Sequence, residues 1–570
     1  MQEIRDQLKT IIQELYGLDF DPEISPSPEN IDADYSTNAP LKLAKELHKN
    51  PMAIAEELAS STNAHVSAPG FLNLTLSDDY LQNEISKLNT SFKSDKYKNQ
   101  TVICEFSDPN PFKVLHVGHL YTSIVGDSIA RLFEYAGAKV IRANFGGDVG
   151  LHVAKTLYAL QQKPSDNLAI EDIAKCYIEG TALYDEDEKA HQEITKLNKE
   201  IYQINSQNLH DTPLAELYWK GRELSYAYFD QFYDSIGVHF DKYYPESTVA
   251  NLGLEKVKEQ LDKGVYEYSD GAVIFDGDKY GLHTRVFINK EGVPTYETKD
   301  VGLIFTKWKD YQFDKSVVIT GSEQLDYMKV VLKSVEQYAP ELVEKTVHLI
   351  HGLVKLPGGV KMSSRKGNFL KAVDVLDMVR TALKEEYNSS DEIVSLAATK
   401  YAFLKYKMGG DIIFDPHESV KMTGNSGPYL LYSCVRAKKI LASVEISFED
   451  NVSVQEEFRS AAARDLAREP RADGRERRDP GTEALSSYER NLMKKILEYE
   501  NTLEEALTEL APHKVANYLF ELAQSFSRFY EKCPVSGSDQ ESARARLVEI
   551  YLSVMTHGLN LLGITIPEEM

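Results

Sequence analysis

Thr101–Lys155 reads TVICEFSDPNPFKVLHVGHLYTSIVGDSIARLFEYAGAKVIRANFGGDVGLHVAK, a strand, a turn, a helix and a second strand in that order. Val102 to Phe106 is a short apolar run suited to a buried parallel strand, and SDPNP holds the turn residues that end strands. Leu120, Ile124, Val125, Ile129, Leu132 and Phe133 recur at helical spacing, and Gly137 stands where a helix stops. Lys139 to Phe145 then returns as a strand. The order predicts a βαβ unit, whose ligand lies at the carboxyl ends of its strands.

His116-Val117-Gly118-His119 falls at the start of that helix. Helix amino termini offer free N–H groups to phosphate, and two imidazoles three apart add donors to the same anion. A glycine between them would let a flat ligand lie against the backbone. An ATP phosphate chain fits this arrangement; the plainer alternative is two histidines that cap the helix or pair with carboxylates. Lys355–Leu370, KLPGGVKMSSRKGNFL, adds a turn at Gly358 and Gly359 with Lys361, Arg365 and Lys366 as cations and Ser363 and Ser364 as hydroxyl donors. Such a loop can follow a leaving phosphate, where cations aimed at developing charge contribute on the order of several kcal/mol.

With HVGH as a first signature and KMSSR as a second, the chain resembles the class I aminoacyl-tRNA synthetases, and within them the arginyl-tRNA synthetases. The resemblance runs from the amino-terminal segment to Met570, with one poor region. It implies a multidomain α/β protein in three parts. Residues 1–90 would be a small α+β domain that touches the tRNA elbow, with Phe71 and Asn73 meeting the D-loop. Residues 91–370 would be a doubly wound parallel-sheet nucleotide-binding catalytic domain, with a helical insertion at about 157–240 over the tRNA acceptor end. Residues 371–570 would be an all-α helical bundle for the anticodon.

The resemblance also implies roles. His116, Gly118, His119, Lys361, Met362 and Ser363 would bind ATP, with Lys113 and Lys366 as further catalytic cations, because Ser364 stands where the second signature lysine is usual. Glu105 and Asn110 would hold the α-amino and carboxylate ends of arginine, and Glu246 would be an acid of its pocket. GGDVG at Gly146 to Gly150 resembles the family's Gly-Asp loop, with Val149 replacing its usual tryptophan. In YETKDVGLIFTKW, Tyr296 and Asp300 lie four apart on one helix face, and Gln324 follows the apolar run Val317–Thr320. A guanidinium is planar and always charged, so its pocket needs a carboxylate and gains from a stacking ring; Asp300 and Tyr296 supply both.

Tyr429, Tyr432 and Arg436, at spacings of three and four, would form a stacking platform for unpaired bases, with Met570 beside the anticodon. Residues 459–484 use arginine without lysine and almost no large apolar side chains, a composition that predicts disorder or an aberrant stretch. The 570 residues, 42% of them hydrophobic, allow roughly four domains. A net charge of −24 argues against a broadly basic nucleic-acid surface and confines any RNA contact to local patches. Four scattered cysteines without C-x-x-C spacing predict buried thiols, no disulfide framework and no bound zinc or other protein-held metal. The absence of a long apolar run and of a leader predicts a cytoplasmic protein without a membrane partner.

The expectation is a monomeric arginine–tRNA ligase using ATP with Mg²⁺, L-arginine and tRNA. The alternatives are another class I synthetase or a free-standing nucleotidyltransferase, neither of which needs Tyr296, Asp300 and Gln324, and a silent tRNA-binding relative, which would lose the histidines or Lys361.

Overall fold

The computed structural model describes residues 2–27, 31, 33–62, 64–88, 90–163, 167–357, 370–444 and 484–570. The apolar run of the first signature becomes strand β1 (Thr101–Glu105), in which Val102, Ile103 and Cys104 are fully buried. Burial on both faces is what a central parallel strand requires. Helix α1 (Val117–Tyr135) follows, and the chain returns as β2 (Lys139–Gly146) beside β1. Gly126 lets α1 press onto the strand: a Cβ there would sit 2.2 Å from Cγ of Phe106.

Helices α2 (Leu151–Gln161), α3 (Ile170–Glu186), α4 (Glu188–Ser206) and α5 (Pro213–Ser235) come next, around a core that includes Val153, Leu157, Ile173, Ile194 and Tyr218. The chain then forms β3 (Lys242–Pro245), α6 (Glu246–Leu261), a three-stranded antiparallel sheet ending in Arg285–Ile288, α7 (Tyr296–Tyr311), β4 (Lys315–Gly321), α8 (Leu325–Glu336) and β5 (Thr346–His351). In space the sheet runs β5-β4-β1-β2-β3, all parallel. The order reverses beside β1, and the crevice at such a switch point is where these sheets bind ligands.

By contacts the chain divides into two compact units, one of residues 1–90, 437–501 and 521–554, the other of 91–436, 502–520 and 555–570. In the first, a four-stranded antiparallel sheet is covered by helices Gln2–Tyr16, Ala39–Leu47 and Pro51–Ser60, with Leu8, Ile12, Leu43, Ile54, Leu58 and Leu72 buried between them. Ala64–Ser67 pairs antiparallel with Phe71–Leu74 across the Pro69-Gly70 turn. Arg490 bridges Asp34 and Asp78 within this unit. In the second, the carboxyl-terminal residues are tied to α1: Ser128 Oγ donates to the Leu561 carbonyl at 2.9 Å and Arg131 reaches Asn560 Oδ1 at 3.2 Å. Helix α9 (Gly427–Ser443) carries Tyr429, Tyr432 and Arg436. No described helix is long and apolar enough to cross a membrane.

Candidate active site

Every strand of the sheet delivers a polar residue at or just past its carboxyl end: Glu105 from β1, Asp148 after β2, Glu246 after β3, Gln324 after β4 and His351 from β5. His116 is the amino-terminal cap of α1. Its Nδ1 accepts the Gly118 N–H at 3.1 Å, while His119 Nδ1 accepts the N–H of His116 itself at 3.1 Å, and the two rings stack with centroids 3.7 Å apart. Because each Nδ1 is an acceptor, the proton of each neutral ring sits on Nε2. Burial, with Lys113 and His351 nearby, lowers His116 to about 4; burial and His116 hold His119 well below its ordinary value. Both are therefore neutral Nε2–H donors at physiological pH.

Two expectations for this turn change. The first backbone N–H groups of α1 are not free for phosphate, since Val117 N–H donates to the Leu370 carbonyl at 2.9 Å and Gly118 N–H to His116. The imidazoles are left as the donors. Gly118 is needed for a different reason as well: a Cβ there would meet Cε1 of His116 at 2.8 Å, so the glycine makes room for the histidine ring. Leu370 and Lys371 are anchored against this turn, Lys371 pairing with His116 as an antiparallel bridge and the Leu115 carbonyl accepting from Ala372. Lys361, Met362, Ser363, Ser364, Arg365 and Lys366 lie outside the described residues, as do residues 459–483 of the odd segment. Lys113 is described, its ammonium 4.8 Å from the ring centroid of Tyr177 on α3.

The predicted arginine pocket is a knot of buried carboxyls. Helices α6 and α7 approach at backbone contact, because a Cβ on Gly253 would sit 2.0 Å from the Thr298 carbonyl and one on Gly302 2.1 Å from that of Val249. That approach puts Glu246 against Lys299, Oε2 to Nζ 2.5 Å, with both side chains buried. Burial raises Glu246 and Lys299 pulls it back down. The Lys299 ammonium also lies 5.0 Å from the Tyr296 ring and 5.7 Å from the Tyr202 ring of α4. Two turns on, Lys307 meets Glu105 at 2.7 Å and Ser316 Oγ at 3.1 Å, again fully buried.

Asp300, 9% exposed, accepts a hydrogen bond from the Tyr327 hydroxyl. Its carboxyl is pushed up to about 8, chiefly by burial and further by Glu105, Glu246 and Glu297, against the lowering effect of Tyr327. Asp108, which accepts the Phe145 N–H at 2.8 Å, is raised too, by burial and then by Glu105. Glu105, Asp108, Glu246, Glu297 and Asp300 thus face Lys299, Lys307 and Arg285, a cluster with more acid than base. Asn110 Oδ1 accepts the Gly147 N–H at 2.7 Å beside Glu246. Asp148 of the Gly-Asp loop binds Arg222 Nε at 3.0 Å, the Ser247 N–H at 3.0 Å and Ser247 Oγ at 2.7 Å, fixing the start of α6. Tyr296, at the first position of α7, is 58% exposed, and Gln324 faces solvent beside β4.

Lys299, Lys307, Arg285, Tyr327 and His351 were not singled out in the sequence. Lysines 299 and 307 flanking the apolar run Val301–Phe305 of α7 were the available signal, since a buried lysine requires an acid partner.

Of the predicted RNA contacts, Phe71 is half-buried, whereas Asn73 is buried and spends its amide inside its sheet, accepting from Ser36 Oγ at 2.7 Å and donating to Ser67 Oγ at 2.9 Å. On α9 the Arg436 guanidinium covers the exposed Tyr432 ring at 4.7 Å, while Tyr429 packs edge-on against Phe520 at 5.8 Å. Met570 is 37% exposed.

A switch-point crevice with two Nε2–H imidazoles on one side and a cluster of buried carboxyls on the other is the site of a parallel-sheet α/β protein. The sequence matches the family model for the catalytic domain of class I (R) tRNA synthetases over residues 81–415, the arginyl tRNA synthetase N-terminal domain over 2–76 and the DALR anticodon-binding domain over 430–570. The chain belongs to the arginyl branch of the class I tRNA synthetases. It is 28% identical to the arginine–tRNA ligase of Fusobacterium nucleatum, over 94% of this chain and 93% of that one, and 28% identical to that of Clostridium perfringens, over 96% and 95%. Its fold is similar to the arginyl-tRNA synthetase of Thermus thermophilus, with a TM-score of 0.76 at 24% identity over all of both chains. It is also similar to that of Plasmodium falciparum, with a TM-score of 0.77 at 22% identity over 100% and 99%.

Proposed function

We propose that the chain is an arginine–tRNA ligase. ATP enters as its Mg²⁺ salt and lies across the switch point with its phosphates against His116 and His119. The arginine carboxylate, already ionised, attacks the α-phosphorus in line; the bond to the bridging oxygen breaks, pyrophosphate leaves and arginyl-adenylate forms. A ribose hydroxyl of the terminal adenosine of tRNA then attacks the carbonyl, its proton departs and AMP is released. No general base is needed in the first step, so positioning and electrostatics carry it. Neutral histidines suit this role, since they donate hydrogen bonds without exchanging protons in the working pH range.

The observation that carries the assignment of arginine is the carboxyl cluster around Asp300. Five acids against three cations leave Asp300 and Asp108 with no cation of their own among the described residues, buried within reach of the sheet edge. A ligand with a guanidinium and an ammonium makes up that deficit; a neutral side chain would leave it. Glu105 and Glu246 each keep one oxygen on a lysine, so they act on the ligand as paired groups, and Asp300, held by a neutral phenol, is the acceptor for the guanidinium. Residues 1–90 and the α9 pair Tyr432–Arg436 would hold the tRNA, with the chain acting as a monomer in the cytoplasm. The test is transfer of labelled arginine to transcripts with arginine anticodons: wild type charges them and Asp300→Ala does not, whereas charging by the variant at the wild-type rate would refute the pocket.

A further inference from the structure

Tyr327 lies on α8, three residues beyond Gln324, and donates its hydroxyl hydrogen to Asp300 Oδ2. On its other side the Arg285 guanidinium carbon is 5.3 Å from the Tyr327 ring centroid, and Arg285 Nη1 is 3.3 Å from Glu297 Oε1. Arg285 Nε is buried without a hydrogen-bond partner among the described residues, and its guanidinium lies against the ring and Glu297. Asp300 faces Glu105 from β1, Asp108 from the loop after it, Glu246 from α6, Glu297 from its own helix and Tyr327 from α8. The nearby cations are engaged elsewhere, Lys307 on Glu105, Lys299 on Glu246 and Arg285 on Glu297.

The donor that meets Asp300 is therefore a phenol. A lysine or arginine in that place would cancel the charge a guanidinium needs, whereas a phenol fixes one oxygen and leaves the carboxylate its charge. We propose that Tyr327, clamped by Arg285, is a positioning residue for arginine: it orients Asp300 and favours its ionised form, leaving the second oxygen to the substrate guanidinium. This rests on reading Asp300 as the guanidinium acceptor.

The test is Tyr327→Phe in the full chain, followed by arginine-dependent ATP–pyrophosphate exchange with tRNA present between pH 6.5 and 8.5. The KM for arginine should rise about ten-fold or more, the loss expected when a hydrogen bond to a charged group is removed. The pH at which that KM levels off should move up by about one unit. The kcat and the KM for ATP should stay within about two-fold, as Tyr327 touches neither ATP nor the reacting atoms. Should that variant not fold, Arg285→Leu carries the same test with a rise of about three-fold in the arginine KM, and Arg285→Lys restores part of it. Wild-type KM and pH profile in these variants, with Asp300→Asn still abolishing the arginine response, overturns the role of Tyr327 and leaves the pocket standing. An arginine KM untouched by Asp300→Asn as well removes the pocket itself.

Discussion

Asp300→Asn keeps the shape of the pocket and removes the carboxyl whose side-chain partner is a neutral phenol. In the ligand-free chain that carboxyl titrates at about 8, so at pH 7 only about one molecule in eleven carries the charge. Arginine selects that form, and drawing the proton off at pH 7 costs about 1.4 kcal/mol. A guanidinium gripped by a carboxylate gains about 3–6 kcal/mol from two charge-assisted hydrogen bonds. The net contribution at pH 7 is then about 1.6–4.6 kcal/mol, and the variant should bind arginine roughly 15- to 2,000-fold more weakly. Titration calorimetry in buffers of different ionisation enthalpy, with tRNA present, reads affinity and protons together. Wild type should release about 0.9 proton per arginine at pH 7 and about 0.5 at pH 8, and the variant none from this group. Equal proton release by both proteins, or equal affinity, refutes the reasoning.

The same carboxyl should make the variant more heat-stable without ligand. Its folded value lies above the unfolded 3.8, so between about pH 4 and pH 8 the folded chain holds a proton that the unfolded chain has released, and stability is lost as pH rises through that window. Melting of Asp300→Asn should exceed wild type at pH 8 and converge with it near pH 4.5. Lys307→Met should destabilise by about 3–5 kcal/mol in denaturant melts, because it strands Glu105 as a buried charge, and adding Glu105→Gln should recover part of the loss. Gly126→Ala should cost about 1–3 kcal/mol by driving a methyl into the Phe106 ring, with melting again the readout. Tyr432→Ala should weaken tRNA binding by about 1–3 kcal/mol in filter-binding assays without changing the KM for arginine.

What the sequence made legible was local. The strand, turn and helix around HVGH follow from apolar spacing and turn residues within a few dozen positions, and the structure places them within a residue or two. The helices over about 157–240 were legible through the resemblance. The charge pairs were not. Glu105 finds Lys307 at a separation of 202 residues, Glu246 finds Lys299 at 53 and Asp300 finds Tyr327 at 27, and no local pattern encodes such partners. Two local readings also missed what tertiary contacts do. Asn73 reads as an amide on offer but satisfies two serines of its own sheet, and the amino terminus of α1 reads as free N–H groups but is closed by the histidines and by Leu370. Tyr177 and Tyr202 reach Lys113 and Lys299 from an insertion whose own sequence carries no sign of the chemistry.

The central claim is that this site activates arginine, and it is tested most directly by amino-acid-dependent ATP–pyrophosphate exchange over all twenty amino acids, with transcripts bearing arginine anticodons present. Exchange with arginine alone, lost on Asp300→Ala, is the predicted result. Exchange with a different amino acid, or none at all while the tRNA remains bound, would contradict it.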